Sequence, residues 1–200
     1  MPDKELDEGK RRLLIAVTGV AGGIATAATA VPFVASMLPS ERAKAAGAPV
    51  EADISALGPG DKLTVEWRGQ PVWIVRRTPE MIASLAKDEG ELADPDSKRN
   101  QDDLTPPYAR NRARSIRPEV FVAVGNWTHL GCSPSDRFAP GAQPSLPADW
   151  PGGFLCPCHG STFDLAGRVF KDKPAPDNLE VPPHMYLSDT VLLIGEDKQA

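Results

Sequence analysis

Only three cysteines occur in these 200 residues, and all of them lie between positions 132 and 158. An odd count confined to one stretch excludes a disulfide framework for the whole chain and points to a local site. Basic runs are equally scarce: 22 Lys and Arg face 27 Asp and Glu, the formal charge is -5, and the cations are spread along the chain. That excludes the basic stripe of a nucleic-acid-binding surface, so no nucleic-acid partner is expected. Aromatics make up only 6% of the chain, whereas Pro and Gly number 21 and 17. Such punctuation disfavours a helical bundle and favours short strands joined by many turns. The sequence has no internal repeat and no Gly-rich phosphate-binding loop.

Charge is wholly absent from Leu13 to Leu38, "LLIAVTGVAGGIATAATAVPFVASML", a run of 26 residues. As a helix rising roughly 1.5 Å per residue it exceeds the ~30 Å hydrocarbon core of a bilayer. Gly22, Gly23 and several Ala and Thr make it weakly hydrophobic, and Pro32 predicts a kink or an end near its far side. Lys10, Arg11 and Arg12 stand directly before it. The positive-inside rule then keeps the N-terminus cytoplasmic and sends the rest across. The twin arginine also resembles a bacterial twin-arginine export signal. A cleaved secretory signal is the alternative, with "AKA" at 43–45 as a cleavage site. The apolar run is longer than the 7–15 residue core usual for cleaved signals, which favours an uncleaved anchor. The expected organisation is a cytoplasmic N-terminus over 1–12, a transmembrane anchor over 13–38, a flexible hinge over 39–49, and a periplasmic domain over 50–200.

Beyond Val50 the pattern is β, and the fold class expected is all-β, a small antiparallel domain. "LTVEW" (63–67), the turn "RGQP" and "VWIVRR" (72–77) read as a hairpin with one buried face. "MIASLAKDEGEL" (81–92) predicts a helix, and "ADPDSKRNQDDLTPPYARNR" after it a polar surface loop. "PEVFVAVG" (118–125) predicts a buried strand, "GGFLCP" (152–157) a second, and "STFDLAGRVF" a hairpin turning at "LAGR". "LEVPP" and "YLSDTVLLIGE" close the domain.

Two loops next to those strands carry every cysteine. "GNWTHLGC" (125–132) supplies His129 and Cys132, and "CPCHGS" (156–161) supplies Cys156, Cys158 and His159. A lone His is usually an ordinary surface group and a lone Cys a small buried hydrophobe. Five such donors in two short turns make a metal site. Thiolates suit iron-sulfur, zinc or copper and imidazole suits zinc, copper and iron, so donor type alone does not choose the metal.

"WTHLGC" and "CPCHGSTFD" resemble the two cluster-binding boxes of the Rieske iron-sulfur subunit of ubiquinol-cytochrome c reductase, the cytochrome bc complex, whose first box reads Cys-Thr-His-Leu-Gly-Cys. The likeness runs from the twin-arginine anchor to "KPAPDNLEVPP" (173–183). It implies a 2Fe-2S cluster with His129, Cys156 and His159 as iron ligands, a Cys132–Cys158 disulfide, and Ser161 hydrogen-bonding a cluster cysteine. It also implies cytochrome b, cytochrome c1 and ubiquinol as partners in a dimeric complex of the bacterial inner membrane. His159 would receive an electron and a proton from ubiquinol, the head domain would swing on residues 39–49 to cytochrome c1, and "KPAP" would cover the cluster.

Two residues depart from that pattern. Trp127 stands at the fourth ligand position, and an indole offers a donor N–H with no lone pair for iron. One base change converts a Cys codon to the Trp codon. Phe163 stands where the family often has a Tyr whose hydroxyl bonds the cluster cysteine, and losing that bond lowers the reduction potential. Two other readings stay open. His129-x2-Cys132 with Cys156-x2-His159 makes a Cys2His2 zinc set that needs nothing at 127, and a cluster-free module could keep the fold and anchor without carrying electrons. Soluble dioxygenase-type ferredoxins lack both the anchor and the disulfide cysteines.

Overall fold

In the computed structural model, which describes residues 7–40, 47–87, 89–99, 104–126 and 131–197, Asp7 opens the first helix. Its carboxylate accepts the amides of Gly9 and Lys10 at 3.1 and 3.2 Å, capping α1 (Glu8–Ala35). The helix therefore starts five residues before the uncharged run. Thr26 and Thr29 donate their hydroxyls to the carbonyls of Gly22 and Ala25, at 2.8 and 3.0 Å. Their polar groups are thus satisfied within the helix, as an apolar surrounding requires. Pro32 lies inside α1, which ends three residues later at Ala35. The chain divides into two units, Met1–Ala45 and Ala46–Ala200.

Among the described residues, the second unit is built of three antiparallel three-stranded sheets. β1 (Val50–Asp53) pairs with β9 (Val191–Ile194), which pairs with β8 (His184–Tyr186). β2 (Lys62–Trp67), β3 (Gln70–Arg76) and β4 (Val120–Val124) form the second sheet. β5 (Ser135–Arg137), β6 (Gly153–Leu155) and β7 (Thr162–Phe163) form the third.

The β2–β3 turn is two residues, Arg68 and Gly69, both with positive φ (52° and 72°), the primed hairpin geometry that matches strand twist. Gln70 and Pro71 already pair in the strand, so the turn is tighter than "RGQP". β3 is buried on both faces, contrary to the one-face expectation. Its odd positions Trp73 and Val75 join Phe121, Ala123, Phe154 and Phe163 in one core. Its even positions Val72 and Ile74 join Ala52, Val122, Leu192 and Ile194 in another. The middle sheet lies between the other two, and that position turns an alternating strand into a buried one.

The helix expected over 81–92 is shorter: α2 spans Pro79–Ser84, capped by the Thr78 hydroxyl, and a 3-10 turn follows at Glu89–Glu91. The Leu85 carbonyl, which a longer helix would give to an amide four residues on, accepts Nη2 of Arg168 at 2.8 Å instead. The segment read as a polar surface loop is also corrected. Asp94, Ser97, Leu104, Thr105 and Ala109 are buried.

Three buried arginines explain this. Arg77, Arg114 and Arg168 are at most 2% exposed. Arg77 donates to the carbonyls of Pro118, Ala113 and Leu165, and Arg114 to those of Ala166, Gly167 and Leu179 and to the Thr105 hydroxyl. Burial pulls Arg77 and Arg114 down to about 10, and the Asp164 carboxylate is the largest opposing influence on both. Polar loops go inside because their carbonyls are what these guanidiniums need.

Gly153 shows how tightly β6 packs. A Cβ there would stand 2.0 Å from the Phe163 carbonyl oxygen, at a φ of +153°. Gly153→Ala is expected to cost about 2 kcal/mol or more in urea unfolding. A change under about 0.5 kcal/mol would show that the β6–β7 pair yields easily.

Candidate metal centre

β4 delivers the first loop over the Trp73 indole. A Cβ on Gly125 would lie 2.4 Å from that ring, so only glycine lets the backbone pass. The Ser133 hydroxyl closes the loop's base by donating to the Gly125 carbonyl at 2.8 Å. β5 then pairs with β6, Ser135 opposite Leu155, and the Ser135 hydroxyl donates to the Leu155 carbonyl at 3.0 Å. Ser135–Arg137 is a three-residue polar strand without a strand signal in its residues, yet its pairing brings the Cys132 end of the first loop beside the second.

The second loop is a closed turn. Cys156 donates its amide to the Ser161 carbonyl at 2.8 Å and accepts the Gly160 amide at 3.0 Å, with Gly160 at a φ of +72°. Cys156 is fully buried and belongs to the core with Trp73, Phe154 and Phe163. Cys158 and His159 are exposed at the tip. The Ser161 hydroxyl oxygen accepts the Ala175 amide at 3.0 Å, tying the loop to "KPAP" and leaving the hydroxyl proton to be donated elsewhere. Phe163 is buried without a hydroxyl to offer.

Cys132 and Cys158 form a disulfide that joins the two loops, with Cα atoms 6.6 Å apart. Cys156 is the free thiol. The three sulfur atoms all lie within 4.8 Å of one another. Trp127 and His129 lie outside the described residues. The third histidine, His184, is structural: buried, its Nδ1 is 2.8 Å from the Pro182 carbonyl and its ring meets Tyr108 edge-on. Burial pushes its pKa down.

Fold and site define a class, an antiparallel β domain whose two cysteine loops are clasped by a disulfide, in a chain that opens with a helix long and apolar enough to cross a membrane. Residues 1–40 match the family model "Ubiquitinol-cytochrome C reductase Fe-S subunit TAT signal". The ubiquinol-cytochrome c reductase iron-sulfur subunit of Allochromatium vinosum is 55% identical, covering 99% of this chain and 94% of that one. That of Blastochloris viridis is 40% identical over 98% of each. The mitochondrial cytochrome b-c1 complex subunit Rieske-1 of Nicotiana tabacum is 43% identical over 82% of this chain and 54% of that one. A solved structure titled hyperthermophilic respiratory Complex III aligns at 25% identity over 90% of this chain and 98% of its own, with a TM-score of 0.46. The chain belongs to the family of Rieske iron-sulfur subunits of ubiquinol-cytochrome c reductase.

A Rieske centre takes two thiolates on one iron and two imidazoles on the other. Of the three cysteines in the chain, two are in the disulfide, which leaves Cys156 alone. The residues present therefore do not fit a complete centre, being one thiolate short. The same disulfide removes Cys132 from the Cys2His2 zinc set, because a disulfide sulfur is no thiolate ligand.

Proposed function

We propose that this chain fills the Rieske position of a bacterial respiratory cytochrome bc complex, beside cytochrome b and cytochrome c1 in a dimer, and that with Trp127 it holds no complete 2Fe-2S centre. Full-length likeness to the family supports the first half. The single thiol outside the disulfide carries the second. His129, Cys156 and His159 are the assigned cluster ligands, with Ser161 as donor to sulfur. His159, exposed at the loop tip, is the residue assigned to ubiquinol contact. Purified from its membrane, the chain should carry only trace iron and acid-labile sulfide and no reduced-cluster paramagnetic signal. A full complement of both would sink the reading, since another group would then complete the centre.

The assigned topology places α1 in the inner membrane, residues 39–49 as hinge and residues 50–200 in the periplasm. Lys10, Arg11 and Arg12 support it, because positive charge flanking an apolar helix stays cytoplasmic. Protease added to spheroplasts should release a soluble fragment beginning near residue 50. Mature protein recovered in the soluble periplasm with its N-terminus near Ala46 would mean a cleaved signal instead.

A cluster-free module on the same fold is the second reading, favoured by the same missing thiolate. Incorporation of a cluster into a Trp127→Cys chain without quinol oxidation in the complex would support it.

A further inference from the structure

The missing thiolate defeats the family's cluster, but it does not exhaust what the three sulfurs can do. Sγ of Cys132, Cys156 and Cys158 all lie within 4.8 Å of one another. Three thiolates around one Zn2+, each at about 2.3 Å, stand about 3.8 Å apart, a spacing inside the 4.8 Å within which the three sulfurs already lie. The backbone holds the sulfurs near each other without the S–S bond. Cys132 is three residues before Ser135, which is paired with Leu155 and bonded to its carbonyl at 3.0 Å, and Cys156 is the next residue after Leu155. Ser133, adjacent to Cys132, is fastened to Gly125 at 2.8 Å. Cys156 is held by the Ser161 carbonyl and the Gly160 amide, at 2.8 and 3.0 Å. Cys156 is buried and Cys158 exposed, so the group opens to solvent on one side.

We propose that, when the Cys132–Cys158 disulfide is reduced, Cys132, Cys156 and Cys158 together hold one Zn2+ ion as three thiolates, and that re-forming the disulfide expels it. The site is distinct from a 2Fe-2S centre and from the Cys2His2 set, because it uses Cys158 and needs neither residue 127 nor a histidine. Water is the fourth ligand on the open side. Thiolate-rich sites suit thiophilic cations such as zinc. A protein exported already folded passes first through a reducing cytoplasm, where the three thiols coexist, and the disulfide belongs to the oxidising side. The ion guards the thiols in the interval.

The redox step balances. A phosphine donates two electrons to the Cys132–Cys158 bond, which breaks, and becomes a phosphine oxide with oxygen from water, while the two water protons go to the two sulfurs. Zinc binding then releases the three thiol protons to buffer. In reverse, oxidised glutathione takes two electrons from the Cys132 and Cys158 thiolates, whose sulfurs join, and leaves as two thiols with two protons taken from buffer. Cys156 alone cannot retain the ion, and it regains its proton.

The test uses the full-length chain in detergent, metal-free, either phosphine-reduced or oxidised, titrated with Zn2+ against a chromophoric chelator. The reduced chain should take up about one ion and keep its near-ultraviolet dichroism, and the oxidised chain should take up none. Adding oxidised glutathione to the loaded chain should release the zinc. Cys132→Ser, Cys156→Ser and Cys158→Ser should each weaken binding by about 100-fold or more, whereas His129→Ala and His159→Ala should stay within about threefold. Equal uptake by the oxidised chain, no uptake by the reduced one, or loss of the near-ultraviolet signal on reduction would overturn the proposal. So would a neutral Cys158→Ser combined with loss in the histidine variants, which is the signature of the Cys2His2 set. Iron and sulfide content, which tests the function proposed above, is a separate readout, so the two can fail independently.

Discussion

Trp127→Cys is expected to raise bound iron from a trace to about two atoms per chain, with about two acid-labile sulfides and the paramagnetic signal of a reduced Rieske centre. The effect is large because it is a count of ligands. The disulfide consumes Cys132 and Cys158, which leaves Cys156 as the sole thiolate for an iron that needs two. An indole has no lone pair to offer in its place. The turn that carries Cys156 is already built. The Cys156 amide and carbonyl are fixed in it, and the Ser161 hydroxyl, with its oxygen occupied by the Ala175 amide, has its proton to donate. The substitution therefore supplies the missing thiolate to a centre whose Cys156 turn is already closed. The second expected consequence is recovered quinol oxidation in the assembled complex. Should Trp127→Cys stay iron-free while its disulfide maps to Cys132–Cys158, the ligand assignment at 127 is wrong. If the new cysteine instead pairs with Cys132 or Cys158, mass mapping under non-reducing conditions would show it directly.

Asp164→Asn is expected to cost about 3–5 kcal/mol of folding free energy, the range for breaking a buried ion pair from one side. Asp164 and Arg168 are both fully buried, with Nη2 2.7 Å from Oδ2. The carboxylate also accepts the amides of Ala166 and Arg168 at 2.9 and 2.8 Å, which shapes the turn that carries β7. Its charge is the largest influence holding up both Arg77 and Arg114 against burial. Neutralising it leaves three buried cations without that counter-charge. A domain stable by about 5–15 kcal/mol could lose most of its margin. Adding Arg168→Met to Asp164→Asn should recover part of the loss, because removing both partners leaves no orphaned charge at that pair. Urea unfolding of the single and double variants checks both statements. A single-variant cost under about 1 kcal/mol would mean the buried arginines are sustained by carbonyls alone.

The donors of the site are readable from two short stretches because they sit at fixed spacing within each loop. "CPCHGS" places Cys156, Cys158 and His159 in one turn, and no tertiary information is needed to see that. Strand β4 was equally plain, since five consecutive apolar residues bounded by turns have few alternatives. The helical periodicity over 81–92 holds only as far as Ser84 and then loses to Arg168, which arrives from far along the chain for the Leu85 carbonyl. The polar stretch after it goes inside for a related reason. Composition marks Asp94, Ser97 and Thr105 as surface residues, whereas in the fold they serve buried partners: Asn178 donates to the Asp94 carbonyl and the Ser97 hydroxyl, and Arg114 to the Thr105 hydroxyl. One signal for the arginines was present. Arg77 closes the apolar run "VWIVRR", where a strand end would be expected to meet solvent.

By itself the sequence determined the uncharged N-terminal helix, the β character of the rest and the two donor loops. All of these are properties of spacing and composition within short segments. Tertiary structure alone decided that β3 is buried on both faces, that a three-residue polar strand at Ser135–Arg137 sets the loops side by side, and that three buried guanidiniums hold the surrounding loops. It also brought three sulfurs, two of them 26 residues apart in the chain, within 4.8 Å of one another. The reason is the same in each case. Local pattern fixes which groups a segment offers, but desolvation makes each buried donor find an acceptor wherever the folded chain supplies one, and those partners come from distances no local pattern encodes.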